Sequence, residues 1–128
     1  MRGAYQRRPT RRRGVRCTRW RFRRMVQHAC DELPPRFQQL LHNVAVTVDD
    51  FPSAEVRAEG GALGLYQGTP LGERGTGYSM VLPDKITVFR RPLLRACHSQ
   101  EELRDEIRLT VLHEIGHFFG MDDHELPF

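Results

Sequence analysis

At 128 residues the chain has the length of one domain and no room for two independent cores. Its 39% hydrophobic and 28% charged residues suit a folded body with a polar appendage, and no apolar run approaches the roughly 18 residues of a membrane span. The formal charge of +4 conceals a division: residues 1–24 hold 11 Arg and no acid, whereas the remainder carries 9 basic and 16 acidic side chains, a net of −7.

Residues 1–18 accordingly read as a disordered Arg-rich arm, because self-repelling Arg with few apolar neighbours cannot offset the entropy of ordering. Residues 19–128 form the expected domain. A body of net negative charge repels phosphate, so weak, salt-sensitive nucleic-acid contact is expected through the arm alone, with Tyr5, Trp20 and Phe22 available for stacking. No apolar core of a signal peptide follows the Arg run. Cys17, Cys30 and Cys97 are odd in number and contain no C-x-x-C pair. The cytoplasm is therefore the expected compartment, with no membrane involvement.

From Trp20, Phe22, Val26, Ala29 and Cys30 recur at helical spacing, and Leu33 follows before Pro34-Pro35 stops the helix. Pro35 suits the first turn of a short second helix with Phe37, Leu40 and Leu41. Val44–Val48 alternates in β-branched residues as a strand does, and Asp49, Asp50 and Pro52 end it. Residues 60–77 contain seven glycines, interrupted by Leu63, Leu65 and Tyr66, which predict a short strand. The run Gly72–Gly77 lacks the Lys-Ser/Thr ending of a phosphate-binding loop. Ile86–Phe89 predicts a further strand, and Pro92-Leu93-Leu94 begins a connector.

Ser99 to Glu102 is a capping box ahead of a long helical pattern. Leu103, Ile107, Val111 and Phe118 line one stripe, and Leu112 with Phe119 flank it late in the helix. Between those apolar residues runs a polar line, His113-Glu114-Ile115-Gly116-His117. Histidines four apart on a helix lie about 40° apart in projection and one turn apart in height, so both imidazoles can reach one cation. Glu114, rotated by about 100°, flanks that cation where a general base would stand. A catalytic zinc wants a third protein ligand. Gly120 allows the chain to double back, which brings Asp122, Asp123 and His124 within reach, and spacing does not choose among them.

The string H-E-I-G-H-F-F-G-M-D-D resembles the extended zincin motif H-E-x-x-H-x-x-G-x-x-H/D in its aspartate form, that of the Asp-zincins. The segments RFRRMVQHACDELPPRF, NVAVTVDDFP, LGLYQGTPL and DKITVFRRPLLR are similar to a family of short bacterial zincin-like metallopeptidases. The likeness runs from about Trp20 to Leu126. It implies an α+β fold with a small mixed β-sheet and a long active-site helix near the C-terminus. It implies Zn2+ held by His113, His117 and Asp123, with His124 outside the ligand set. The sequence departs from the larger metzincins, which carry a Met-containing turn downstream of the third ligand, and Phe128 or Leu126 is expected to supply the apolar floor of the metal instead.

The expected activity is peptide-bond hydrolysis on a peptide or protein substrate, with Glu114 as general base. The substrate is expected to lie extended along an edge strand such as Ile86–Phe89. The phenols of Tyr66 and Tyr78 are of a type that could donate to a developing oxyanion, although a core or rim position suits them better. The competing expectation is a catalytically weak or inactive zincin-like binding module, tethered to nucleic acid or a protein partner by the basic arm.

Overall fold

A computed structural model describes residues 2–5, 14–68 and 84–118, with the backbone alone in 2–5 and at Leu40. Helix α1 (Arg19–Asp31) begins where Thr18 accepts a hydrogen bond from the Arg21 amide at 3.2 Å, satisfying one of the donors a helix leaves open at its start. Phe22, Val26, Ala29 and Cys30, the predicted face, are its buried residues. Leu33 is buried behind them. Helix α2 (Pro35–Leu40) carries Pro35 in its first turn and passes into a 3-10 turn at Leu41–Asn43.

Strand β2 (Val44–Asp49) follows as expected. The next element, helix α3 (Ala54–Ala58), is capped by Ser53 on the Val56 amide at 3.3 Å, and its five residues are too few to show a period. Strand β3 (Gly64–Gln67) is the predicted short strand, and β4 (Asp84–Phe89) extends the predicted Ile86–Phe89 by two residues. In place of a connector at Pro92, helix α4 (Arg90–Ala96) buries Leu93, Leu94 and Ala96. Pro92 sits in its first turn, where a missing N–H leaves no intrahelical bond unmade. Helix α5 (Gln100–Phe118) then completes the described core.

With strand β1 (Arg2–Tyr5), four strands form one sheet in the order β1-β3-β4-β2. β3 runs antiparallel to β1 and β4, while β2 and β4 are parallel. The sheet is mixed and the fold α+β, as expected. One detail of that expectation is corrected. β4 lies between β3 and β2, so Ile86–Phe89 is no edge on which a substrate could add. Helix α5 packs against α1 and against β1, β3 and β4. Leu103, Ile107, Val111, Ile115 and Phe118 join Phe22, Val26, Ile86, Val88 and Leu93 in one core cluster. Each fully buried side chain of this size contributes roughly 1.5–3 kcal/mol.

An unordered arm is not what residues 2–5 and 14–18 form. The first stretch is β1, and the second is pinned to α4. The Val15 amide donates to the carbonyls of Leu94 and Cys97 at 3.1 and 3.0 Å. The Arg90 guanidinium donates to the Cys17 carbonyl at 2.7 Å and to Asp50 at 3.2 Å. Gly14 lies so close to the Leu94 carbonyl that no Cβ fits. The basic charge is likewise not confined to an arm. Arg19, Arg21, Arg23 and Arg24 are exposed on α1, and Arg21 and Arg24 line a groove with Arg104 and Arg108. Net charge had hidden this, because it carries no information on where charges lie. Trp20 is 68% exposed beside the Arg24 guanidinium, but Phe22 is in the core and cannot stack on a ligand.

Cys17, Cys30 and Cys97 are free and buried. Burial pushes the Cys30 thiol up to about 11, and the neighbouring Asp31 adds to it. No helix among the described residues is long and apolar enough to cross a membrane.

Candidate metal centre

The capping box holds the start of α5, with one difference from its usual form. Ser99 accepts from the Glu102 amide at 3.0 Å, but the Glu102 carboxylate reaches back to the amide of His98, one residue before the cap, at 3.2 Å. From this anchored end the helix drives its last two turns under the sheet, where His113, Glu114 and His117 are all buried.

Helical spacing brings the three together. The imidazoles of His113 and His117 stand edge to face with centroids 5.1 Å apart, and one ligand atom from each of the three residues lies within 4.8 Å of the other two. Ligands around a tetrahedral zinc at 2.0–2.1 Å are about 3.3 Å from one another, so small side-chain rotations suffice to enclose an ion. The chemistry of the set points the same way. The two imidazoles are zinc donors, and burying them beside a carboxylate costs several kcal/mol that a cation would offset. The residues present fit zinc.

Glu114 is also tied to the sheet. Its Oε1 accepts a hydrogen bond from the Tyr66 amide at 2.9 Å, across 48 positions of sequence. That bond fixes the carboxylate beside the two imidazoles. Gly64, two residues earlier in β3, makes the approach of α5 feasible. A Cβ at Gly64 would lie 2.5 Å from Thr110 Cγ2 and 3.4 Å from Glu114 Cγ. Tyr66 itself is fully buried, and its ring packs edge to face on Phe118 with centroids 5.9 Å apart. The phenol is therefore core, the position expected for it, and the main-chain amide is the group that meets Glu114. No sequence pattern could pair residue 66 with residue 114; the one available hint was the glycine placed two before the tyrosine in a predicted strand.

Asp123, the expected third ligand, lies outside the described residues, as do Gly120, Asp122, His124, Leu126, Phe128 and Tyr78. The remaining described histidines stand apart from the centre. His28 and His42 are exposed, His28 lying 3.5 Å from Glu32, and His98 is half-buried just before α5.

No curated protein matches the chain. Among solved structures it is similar to a conserved hypothetical protein from T. thermophilus, at 25% identity and a TM-score of 0.55, over 80% of this chain and 94% of that one. The profile of the zincin-like metallopeptidase family matches residues 41–127, a stretch that includes β2 through α5 and the whole His-Glu-His cluster. The chain belongs to the zincin-like metallopeptidase family.

Proposed function

We propose that the protein is a zinc-dependent peptidase of the Asp-zincin type, in which His113, His117 and Asp123 hold the metal and Glu114 is the general base. The observation that carries this reading is the buried cluster of His113, Glu114 and His117 with its donor atoms within 4.8 Å, inside a region matched by a metallopeptidase family. Bound zinc would supply Lewis-acid polarisation of the scissile carbonyl and acidification of water. The residues of the chain do the rest. His113 and His117 present imidazole nitrogens from consecutive turns, and Asp123 adds a carboxylate.

Glu114 fits the base role better than a ligand role, because Oε1 is committed to the Tyr66 amide. Its second oxygen takes the proton of the attacking water as the water oxygen adds to the carbonyl carbon. The same carboxyl then delivers that proton to the departing nitrogen as the C–N bond breaks. The Tyr66 amide keeps the carboxylate from swinging away between the two transfers.

A peptide-library digestion of the zinc-loaded protein, with and without chelator, is the direct test. Chelator-sensitive cleavage is expected, and Glu114→Gln should retain zinc while losing turnover by about a hundredfold or more. A zinc-loaded protein that cleaves nothing would instead be the binding module. Asp123→Ala should weaken zinc far more than His124→Ala; the opposite ranking reassigns the third ligand.

A further inference from the structure

The outer edge of β3 is the place where Glu114 meets the sheet, and it is already occupied. Just before β3, the Leu63 carbonyl accepts from the Phe89 amide at 2.9 Å, and within it Leu65 and Gln67 stand opposite Thr87 and Lys85. Main-chain groups of successive strand residues point to opposite sides. Leu65 and Gln67 therefore bond toward β4, and Gly64 and Tyr66 bond outward. On that outward side Gly3 stands opposite Tyr66, and Tyr5 opposite Gly64. The Tyr66 amide, which regular pairing would direct at Gly3, donates to Glu114. The carboxylate thus stands at the same edge as β1, and β1 also lies against α5.

We propose that Arg2–Tyr5 is an exchangeable occupant of a peptide-docking edge. An extended peptide would bind beside Glu114 by adding to Gly64–Gln67, and it can do so only when the chain's own N-terminal strand leaves. Three features favour exchange over permanent pairing. β1 is only four residues long. Among the described strands it is an edge strand with a neighbour on one side only. The Tyr66 amide, opposite its Gly3, also donates to the Glu114 carboxylate. Strand addition uses main-chain bonds and makes few sequence demands, so the incoming ligand is any extended, unpaired peptide segment. That this ligand is a substrate rests on the peptidase reading; the exchange itself does not.

The register supplies the test. In the full chain, Gly3→Pro removes an N–H that faces β3, whereas Ala4→Pro removes one that faces away, which an edge strand tolerates. The probe is a fluorescein-labelled peptide of residues 1–8, followed by anisotropy. It should bind the Gly3→Pro chain at least about tenfold more tightly than the unmodified chain, because the tethered strand competes at an effective concentration on the order of millimolar. Ala4→Pro should stay within about threefold of the unmodified chain. In the unmodified chain, the Tyr5 amide should exchange with solvent at least about a hundredfold faster than that of Val88 in β4, through local opening.

Equal binding to all three chains would overturn the proposal. So would Tyr5 and Val88 exchanging together, or loss of the far-UV spectrum and melting transition in Gly3→Pro, since β1 would then be an obligate part of the fold. Tighter probe binding by Gly3→Pro with no cleavage by either zinc-loaded chain would support the exchange while removing the peptidase reading. Tighter binding with several-fold faster cleavage supports both.

Discussion

Along the first ten residues of α5, Gln100–Leu109, burial follows the helical repeat: Leu103 and Ile107 are fully buried, and Glu101, Arg104, Asp105 and Arg108 face solvent. Over the last nine, Thr110–Phe118, every residue except half-buried Leu112 is buried, with His113, Glu114 and His117 among them. The first half is built as a stabilising element, with a cap, an apolar stripe and acids near its N-terminus. The second half accepts three buried ionisable side chains, a choice that weakens the metal-free fold. Stability and metal affinity should therefore separate along a single helix.

The largest effect is expected from His113→Ala. Zinc affinity, measured by competition with a chromophoric chelator, should drop by about a hundredfold or more, because one of the two proposed imidazole ligands is lost. The metal-free protein should melt within a few degrees of the unmodified one. Leu103→Ala should do the converse. It leaves a hole under a fully buried side chain and should lower unfolding free energy by about 2–5 kcal/mol, with the affinity of the folded fraction for zinc unchanged. If Leu103→Ala weakens zinc as much as His113→Ala, the two halves act as one unit and the comparison is broken.

Gly64→Ala sharpens the same comparison from the sheet side. Its added methyl meets Thr110 Cγ2 at 2.5 Å, at the junction of the two halves. A loss of about 1–3 kcal/mol is expected from the overpacking, together with slower turnover because Glu114 lies behind Thr110. Thr110→Ser removes Cγ2 and keeps a hydroxyl able to donate to the Glu106 carbonyl, as Thr110 does at 2.7 Å. The double variant should therefore recover part of the loss, a coupling that chemical denaturation can measure. Additive losses would mean that the clash is relieved elsewhere.

Features set by near neighbours were legible in the sequence. The buried face of α1, the cap of α5 and the approach of His113 to His117 each follow from spacings of three, four or seven residues. What depended on distant partners was not. The run Ile86–Phe89 marks a strand, but its central place comes from pairing with β2 and β3, residues 44–49 and 64–67. Thr87 is buried with its hydroxyl 3.3 Å from that of Thr47, a contact between positions 40 apart. The Tyr66 amide on Glu114 belongs to the same class. Helix α4 was missed for a different reason: Pro92 reads as a breaker, and only the position of Arg90 shows that it falls in the first turn.

The smallest effect is expected at the cap. Ser99→Ala removes the acceptor for the Glu102 amide and should lower stability by about 1 kcal/mol, read as a shift in the denaturant midpoint with an unchanged slope. Ser99 is 14 residues from His113, about 21 Å along the helix at 1.5 Å per residue. End fraying decays within the first turn or two, and Leu103 and Ile107 lie between the cap and the metal centre. Zinc affinity should therefore stay within about twofold of the unmodified value. A larger fall would mean that fraying at Ser99 propagates past Ile107, so that the packing of the first half positions the imidazoles of the second.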